Sequence, residues 1–174
     1  SWKVATIAST GFHAPNIDDT GKLFYKGSIL TIPNFNLEPE YVRTVELNIT
    51  KNVNNRLLFN ANTYYTFIED AIMRVNTNLD FQINQDEFFT EAKTNKNTGN
   101  AEIYGATASA SLRIASNYTL ETDYTLIKGR NIDNDLPFTH IPPSFGKTAF
   151  YADFDSWRAS FFIMYNGRKA IDEL

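Results

Sequence analysis

Asn117-Tyr118-Thr119-Leu120-Glu121-Thr122-Asp123-Tyr124-Thr125-Leu126-Ile127-Lys128-Gly129 decides the fold. Tyr118, Leu120, Tyr124 and Leu126 alternate with Thr119, Glu121, Asp123 and Thr125. Successive Cβ atoms of an extended chain point to opposite faces, so this pattern is a strand with one greasy and one wet face. A helix would mix the two sets. Just before it, Tyr104, Ala106, Ala108, Ala110, Leu112 and Ile114 alternate with Ile103, Gly105, Thr107, Ser109, Ser111 and Arg113, and only Ala115-Ser116 intervenes. The two runs read as a long hairpin closed by a tight turn.

The same pattern recurs on both sides. Tyr41 to Thr50, with Val45, Leu47 and Ile49 on one face, leads through the polar stretch Lys51 to Arg56 into Leu57 to Glu69. Lys147 to Phe154 and Trp157 to Asn166 form a third hairpin turning at Asp155-Ser156, its alternation imperfect because Phe162 and Met164 share a face with polar residues. Residues 2 to 9 read as the tail of an earlier strand. The expectation is an all-β chain, an antiparallel up-and-down meander of about seven long strands. At about 3.3 Å per residue, Leu57 to Glu69 spans roughly 40 Å, longer than strands of soluble sheets and sufficient to cross a bilayer.

The other connections are long: about thirty residues from Thr10 to Glu40, about thirty from Asp70 to Gly99 and some sixteen from Arg130 to Phe145. Short and long connections alternate strictly, as in outer-membrane barrels, whose periplasmic turns are short and extracellular loops long. A soluble β-sandwich binding module, one alternative, has no reason to keep its long loops on one edge. The chain has 174 residues, with 14% aromatics and a mean hydropathy of -0.34. Both figures suit strands that alternate lipid-facing aromatics with polar lumen residues. The longest apolar run, Phe161 to Tyr165, is far too short for a spanning helix. A net charge of -4 provides no basic stripe for nucleic acid, and the absence of cysteine removes disulfides and thiolate metal sites.

Two loop stretches are more specific. Ala8-Ser9-Thr10-Gly11-Phe12-His13-Ala14-Pro15-Asn16-Ile17 is followed by Ile32-Pro33-Asn34-Phe35-Asn36-Leu37-Glu38-Pro39-Glu40 and then by a strand with Val45-Glu46-Leu47. Further on stands Asn97-Thr98-Gly99-Asn100-Ala101-Glu102-Ile103-Tyr104-Gly105, and Ile141-Pro142-Pro143 precedes another descending strand. Together these resemble the "GFRAP … NPDLKPE … YELG" and "N-x-G-x-A-x-x-x-G" elements of TonB-dependent outer-membrane receptors, in the family's order and over nearly the whole chain. The resemblance implies a segment of a large transmembrane β-barrel in a bacterial outer membrane, in contact with lipid. It implies that residues 1–174 are the later part of the barrel domain, without plug domain and closing strands. The intact protein would bind a scarce small-molecule nutrient at its loops and import it with energy from the TonB complex, ferric siderophore being the commonest cargo class. His13 stands where the family usually has Arg, and Phe35 where it usually has Pro, so a contact that needs a guanidinium does not carry over.

Most of these residues read as structural, at the loop rim: Gly11, Phe12, Ala14, Pro15, Pro33, Asn34, Leu37, Pro39, Glu40, Asn97, Gly99, Ala101 and Gly105. Prolines suit strand ends, glycines permit conformations or contacts that a side chain would block, and Glu38 and Glu40 are placed to accept from backbone amides at the rim. Candidate ligand contacts are His13, Phe81, Phe88, Phe89 and His140, with a rim hydrogen bond as the blander role for each histidine. Asp80 to Glu87, and Asn131 with Asp133 and Asp135, space oxygen ligands as calcium loops do, but the first lacks the turn glycine and both read as solvated loops. Catalytic motifs are absent, so no enzyme and no cofactor are expected. A passive outer-membrane porin or adhesion barrel is the membrane alternative. Taken alone, the segment is expected neither to transport nor to bind cargo tightly, and its open sheet edges are expected to favour self-association.

Overall fold

In the computed structural model, which describes residues 1–77, 91–133, 135, 137–138 and 141–169, the three tight turns sit where short polar stretches interrupt the alternation. β1 (Trp2–His13) is followed by α1 (Ile17–Thr20), β2 (Phe24–Lys26) and β3 (Ile29–Ile32). The chain continues as β4 (Glu40–Val53), β5 (Leu57–Glu69), β6 (Ile72–Asn76), β7 (Glu91–Asn97), β8 (Ala101–Ala115), β9 (Tyr118–Asn131), β10 (Phe145–Phe154) and β11 (Trp157–Asn166). The long strands form one sheet of 7 in the order β1-β4-β5-β8-β9-β10-β11. Each neighbouring pair is antiparallel. The β4–β5 turn holds Asn54 and Asn55 at φ of 49° and 54°, the left-handed region that asparagine tolerates better than most residues.

This is the expected meander, with two corrections. β1 runs on to His13, so Gly11, Phe12 and His13 are strand residues paired with Val42, Tyr41 and Glu40 rather than loop. The loops from 14 to 39 and from 70 to 100 also build a second sheet of 4 strands, β2-β3-β7-β6. Within it β3 pairs β7 in parallel, Ile29 with Glu91, so the two loops share one sheet above the β4–β5 hairpin.

Register sorts the long strands into two faces. On one lie Val4, Ile49, Ala61 and Ala108, with Leu112 opposite Leu120, Leu120 opposite Phe150 and Phe150 opposite Phe161. On the other, polar pairs bond to each other. Asn62 Nδ2 donates to Asn48 Oδ1 at 2.7 Å, Thr50 Oγ1 to Asn60 Oδ1 at 3.0 Å, and the hydroxyls of Thr44 and Thr66 meet at 2.9 Å. Among the described residues the buried apolar side chains are all alanines: Ala71, Ala92, Ala101, Ala149 and Ala152. The large ones, Trp157, Phe161, Ile163 and Val4 among them, are exposed on the apolar face. A sheet that leaves its largest apolar side chains exposed along one face is built for an apolar solvent.

Central hydroxyls on the apolar face bond within the sheet, which lipid favours. Thr122 and Thr148 pair at 2.9 Å, and Thr63 Oγ1 donates to the Gly105 carbonyl at 3.1 Å. Aromatics cluster at the turn end, with Phe154 stacked on Trp157 at 4.4 Å, Tyr118 on Phe150 at 5.6 Å and the Lys51 ammonium 4.2 Å over the Trp2 ring. Nearer the loop end Tyr124 stacks on Tyr165 at 6.1 Å. Rings at both boundaries of an apolar band are the girdles of a membrane-spanning wall.

Candidate functional site: the loop-end junction

At the loop end, three segments distant in sequence converge on one carboxylate. Glu40 opens β4 and lies directly opposite His13, the last residue of β1. Its Oε2 stands 2.9 Å from His13 Nδ1, and its Oε1 accepts the Ile72 amide of β6 at 2.6 Å. The other side of the His13 ring reaches toward α1, Nε2 lying 3.8 Å from Asp19 Oδ2. The turn of helix is itself capped: Asn16 Oδ1 accepts from the Asp18 and Asp19 amides, and Asp19 accepts from the Asn16 amide. Glu40 thus ties the wall to β6, while His13 beside it reaches α1, and hydrogen bonds to a charged acceptor are worth about 1.5–3 kcal/mol each.

Asn97, at the end of β7, closes the same junction with its side chain. Its Oδ1 accepts the Glu38 amide at 2.9 Å while its Nδ2 donates to the carbonyls of Glu38 and Asp70 at 2.9 and 2.7 Å. Glu38 therefore enters through its backbone. Asn34 Nδ2 donates to the Asn95 carbonyl at 2.8 Å and its Oδ1 accepts from Asn36, which pins the segment holding Pro33 against β7. Leu37 and Pro39 are half-buried beside it, and Ala14 and Pro15 lead from β1 into α1.

Gly99 adopts φ +92°, and a Cβ there would lie 1.7 Å from Asp133 Oδ2. That oxygen is held in place because it accepts the Asn100 amide at 2.8 Å. Ala101 follows, fully buried. At Gly105 a Cβ would meet the Leu126 carbonyl at 2.7 Å and the Tyr64 ring at 2.8 Å, whereas at Gly11 it would meet nothing within 4 Å. Phe12 projects from the apolar face at the rim and is exposed.

Among the described residues Asn131 is the largest fully buried side chain. Its amide donates to the Thr98 carbonyl at 3.2 Å and hydroxyl at 3.1 Å, and its Oδ1 accepts the Asp133 amide at 3.0 Å. Asp135 pairs with Arg130 at 2.9 Å. The oxygens of Asn131, Asp133 and Asp135, spaced in sequence like calcium ligands, each serve a different protein group. No set of three or more His, Asp or Glu able to hold a metal occurs among the described residues. Phe81, Phe88, Phe89, His140 and the Asp80 to Glu87 run lie outside the described residues. No helix among the described residues is long and apolar enough to cross a membrane.

Sequence reading missed a second cluster on the apolar face just above the lipid band. Tyr65 Oη donates to Glu102 Oε2 at 2.7 Å and Arg130 Nε to Glu102 Oε1 at 2.7 Å, while Arg43 clasps Glu69 through two bonds of 2.9 and 3.1 Å. The Tyr65 hydroxyl and then Arg130 hold the Glu102 carboxyl below its ordinary value, and Glu102 with Asp135 raises Arg130. Only cross-strand register brings these residues together. In the loop structure Ile17, Leu23, Tyr25 and Phe35 are exposed.

An antiparallel wall with an apolar outside, a polar inside, tight turns at one end and structured loops at the other defines an outer-membrane barrel wall. The description "TonB dependent receptor-like, beta-barrel" matches residues 2–173, and the chain belongs to that family. Membership places the wall in a bacterial outer membrane. No curated protein matches the chain by sequence. Among solved structures it is similar to the copper transporter OprC, at a TM-score of 0.75 and 16% identity over 92% of this chain and 24% of that one. The FrpB iron transporter of Neisseria meningitidis gives 0.57 and 17% over 91% and 24%. The siderophore receptor PirA of Pseudomonas aeruginosa gives 0.59 and 14% over 94% and 32%. The chain thus spans about a quarter to a third of the length of these structures.

Proposed function

We propose that this segment is part of the barrel of a receptor that captures a scarce nutrient outside the cell and imports it with energy from the TonB complex. An iron chelate such as a ferric siderophore is the cargo class we favour. The observation that carries the reading is the anchored loop sheet: Glu40 and Asn97 fix it to the wall, and Tyr25 within it and Leu23 and Phe35 beside it are exposed. A passive pore gains nothing from such a surface, whereas a receptor needs apolar and aromatic groups on a rigid support. The copper, iron and siderophore cargoes named for the similar structures agree in kind. In the intact receptor, a plug domain would pack against the polar face that carries Asn48, Asn62 and Thr66.

Uptake of radiolabelled ferric siderophore by cells producing the intact receptor tests this. Uptake should cease when the energising protein is deleted and weaken roughly tenfold in apparent affinity with Tyr25→Ala and Phe35→Ala together. Uptake that persists without the energising protein would support a passive pore instead.

A further inference from the structure

The seams of the wall differ in length. Among the described residues the shortest register between neighbouring long strands is that of β9 with β10, which runs from Thr125 opposite Phe145 to Tyr118 opposite Ala152. On its other side β9 pairs with β8 from Asn131 opposite Ala101 to Tyr118 opposite Ala115. Fewer ladder bonds have to open together for β9 and β10 to part.

Extra bonds fasten this seam at both ends. At the turn end Asn117 Nδ2 donates to the Asp153 carbonyl at 2.8 Å, and the Asp153 amide donates to the Asn117 carbonyl at 2.9 Å. At the loop end the fastening comes from one strand further on. The half-buried Tyr165 of β11 lies opposite Gly146, stacks on Tyr124 and donates its hydroxyl to the Asp123 carbonyl of β9 at 2.9 Å. Glycine lets the ring cross β10: a Cβ at Gly146 would run into the Asp123 carbonyl and lie 2.6 Å from the Tyr165 ring. A carbonyl oxygen has two lone pairs, so Asp123 accepts the phenol without giving up a ladder bond. β11 is itself fixed to β10 by their register and by the Gly167 amide, which donates to the Ser144 carbonyl at 2.6 Å. The phenol therefore spans three strands, and its bond closes the shortest seam.

We infer that the β9–β10 seam is where this wall can part, and that Tyr165 is the strap that holds its loop half shut. The strap lies on the apolar face, which Tyr165, Gly146, Tyr124 and Ala108 share by register. Backbone groups freed by parting on that side would find no water in hydrocarbon to bond. Parting would also connect the polar side of the wall with the lipid, and the strap keeps the two apart. It reaches a main-chain atom and involves neither the loop sheet nor the Glu40 junction, so it is independent of cargo.

The test is hydrogen exchange, read by mass spectrometry on the intact receptor in lipid nanodiscs, wild type against Tyr165→Phe. That variant keeps the ring over Gly146 and removes the bond to Asp123. One hydrogen bond changes a local opening equilibrium roughly fivefold, so Thr122 to Thr125 and Phe145 to Thr148 should exchange roughly fivefold faster, with Leu57 to Glu69 unchanged. Asn117→Ala should instead speed exchange at the turn end, at Tyr151 to Asp153, and leave the loop half as it was. Asp123 and Lys147 are direct partners across the seam, within bridging distance for a disulfide, and the chain has no cysteine of its own. Adding Asp123→Cys/Lys147→Cys to Tyr165→Phe should therefore restore slow exchange once the pair is oxidised. Unchanged exchange at the seam in Tyr165→Phe overturns the strap. So does an increase spread evenly over the wall, which would mark a general loss of stability. An oxidised bridge that leaves exchange fast overturns the seam as the place of opening.

Discussion

The Glu40 carboxylate lies 2.9 Å from the His13 imidazole, joining residues 27 apart in sequence, and its second oxygen takes the Ile72 amide at 2.6 Å. Glu40→Ala removes both bonds and leaves the Ile72 N–H without its acceptor, a loss of about 1–3 kcal/mol confined to the junction. Hydrogen exchange should show Ile72 to Asn76 losing protection while β8 and β9 keep theirs. Glu40→Gln keeps an acceptor for Ile72 and should lose markedly less.

Gly99 and Gly11 make a contrasting pair. Alanine at 99 meets Asp133 Oδ2 and must adopt φ +92°, so Gly99→Ala should cost more than about 2 kcal/mol and release the Asn100 amide. Alanine at 11 meets nothing and should be neutral within about 0.5 kcal/mol. Chemical unfolding in lipid vesicles measures both, and a disruptive Gly11→Ala would refute the distinction.

Thr122 and Thr148 satisfy each other on the lipid face at 2.9 Å. Replacing either by valine strands the partner's hydroxyl in hydrocarbon, at roughly 0.6–1.7 kcal/mol on the scale of such bonds in membranes. Replacing both removes the polar groups together and should recover most of the loss. A double-mutant cycle with additive single losses would show that the pairing contributes nothing.

Strand existence and face were legible because the alternation runs through Tyr118, Leu120, Tyr124 and Leu126, with Thr122 as its one polar interruption. The second sheet was not, because Glu91–Asn97 is almost wholly polar and Phe24–Lys26 is too short to show a period. The Gly27-Ser28 step between two β-rich runs was the one local cue, and Gly27 does sit at φ +62°. Glu40 was readable as a rim residue from its place beside Pro39. Its partners were not, since pairing His13 with Glu40 and Ile72 requires three-dimensional register. Asn131 misled for a related reason: oxygen spacing cannot reveal that a side chain faces inward and bonds to Thr98.

The cluster at Glu102 gives the junction a pH dependence of known sign. Its carboxyl is held below the ordinary value, first by the Tyr65 hydroxyl and then by Arg130. A depressed carboxylate stabilises fully above the unfolded value and loses that contribution as pH falls through the folded one. Thermal stability should therefore stay flat from about pH 7 down to the ordinary carboxylate range and decline below it, and Glu102→Gln should flatten the part of the decline that this group supplies. Melting curves of both proteins at about pH 3 and about pH 7 supply the comparison.

The parallel contact of Ile29 with Glu91 carries a kinetic consequence. Each tight hairpin of the wall closes over a few residues, but this contact closes a chain loop that contains the whole β4–β5 hairpin and so pays its ordering entropy only after that hairpin exists. Folding should therefore dock the loop sheet after the β4–β5 hairpin has formed, and pulse-labelled hydrogen exchange during refolding should show Ile29 to Ile32 gaining protection later than Tyr41 to Glu69.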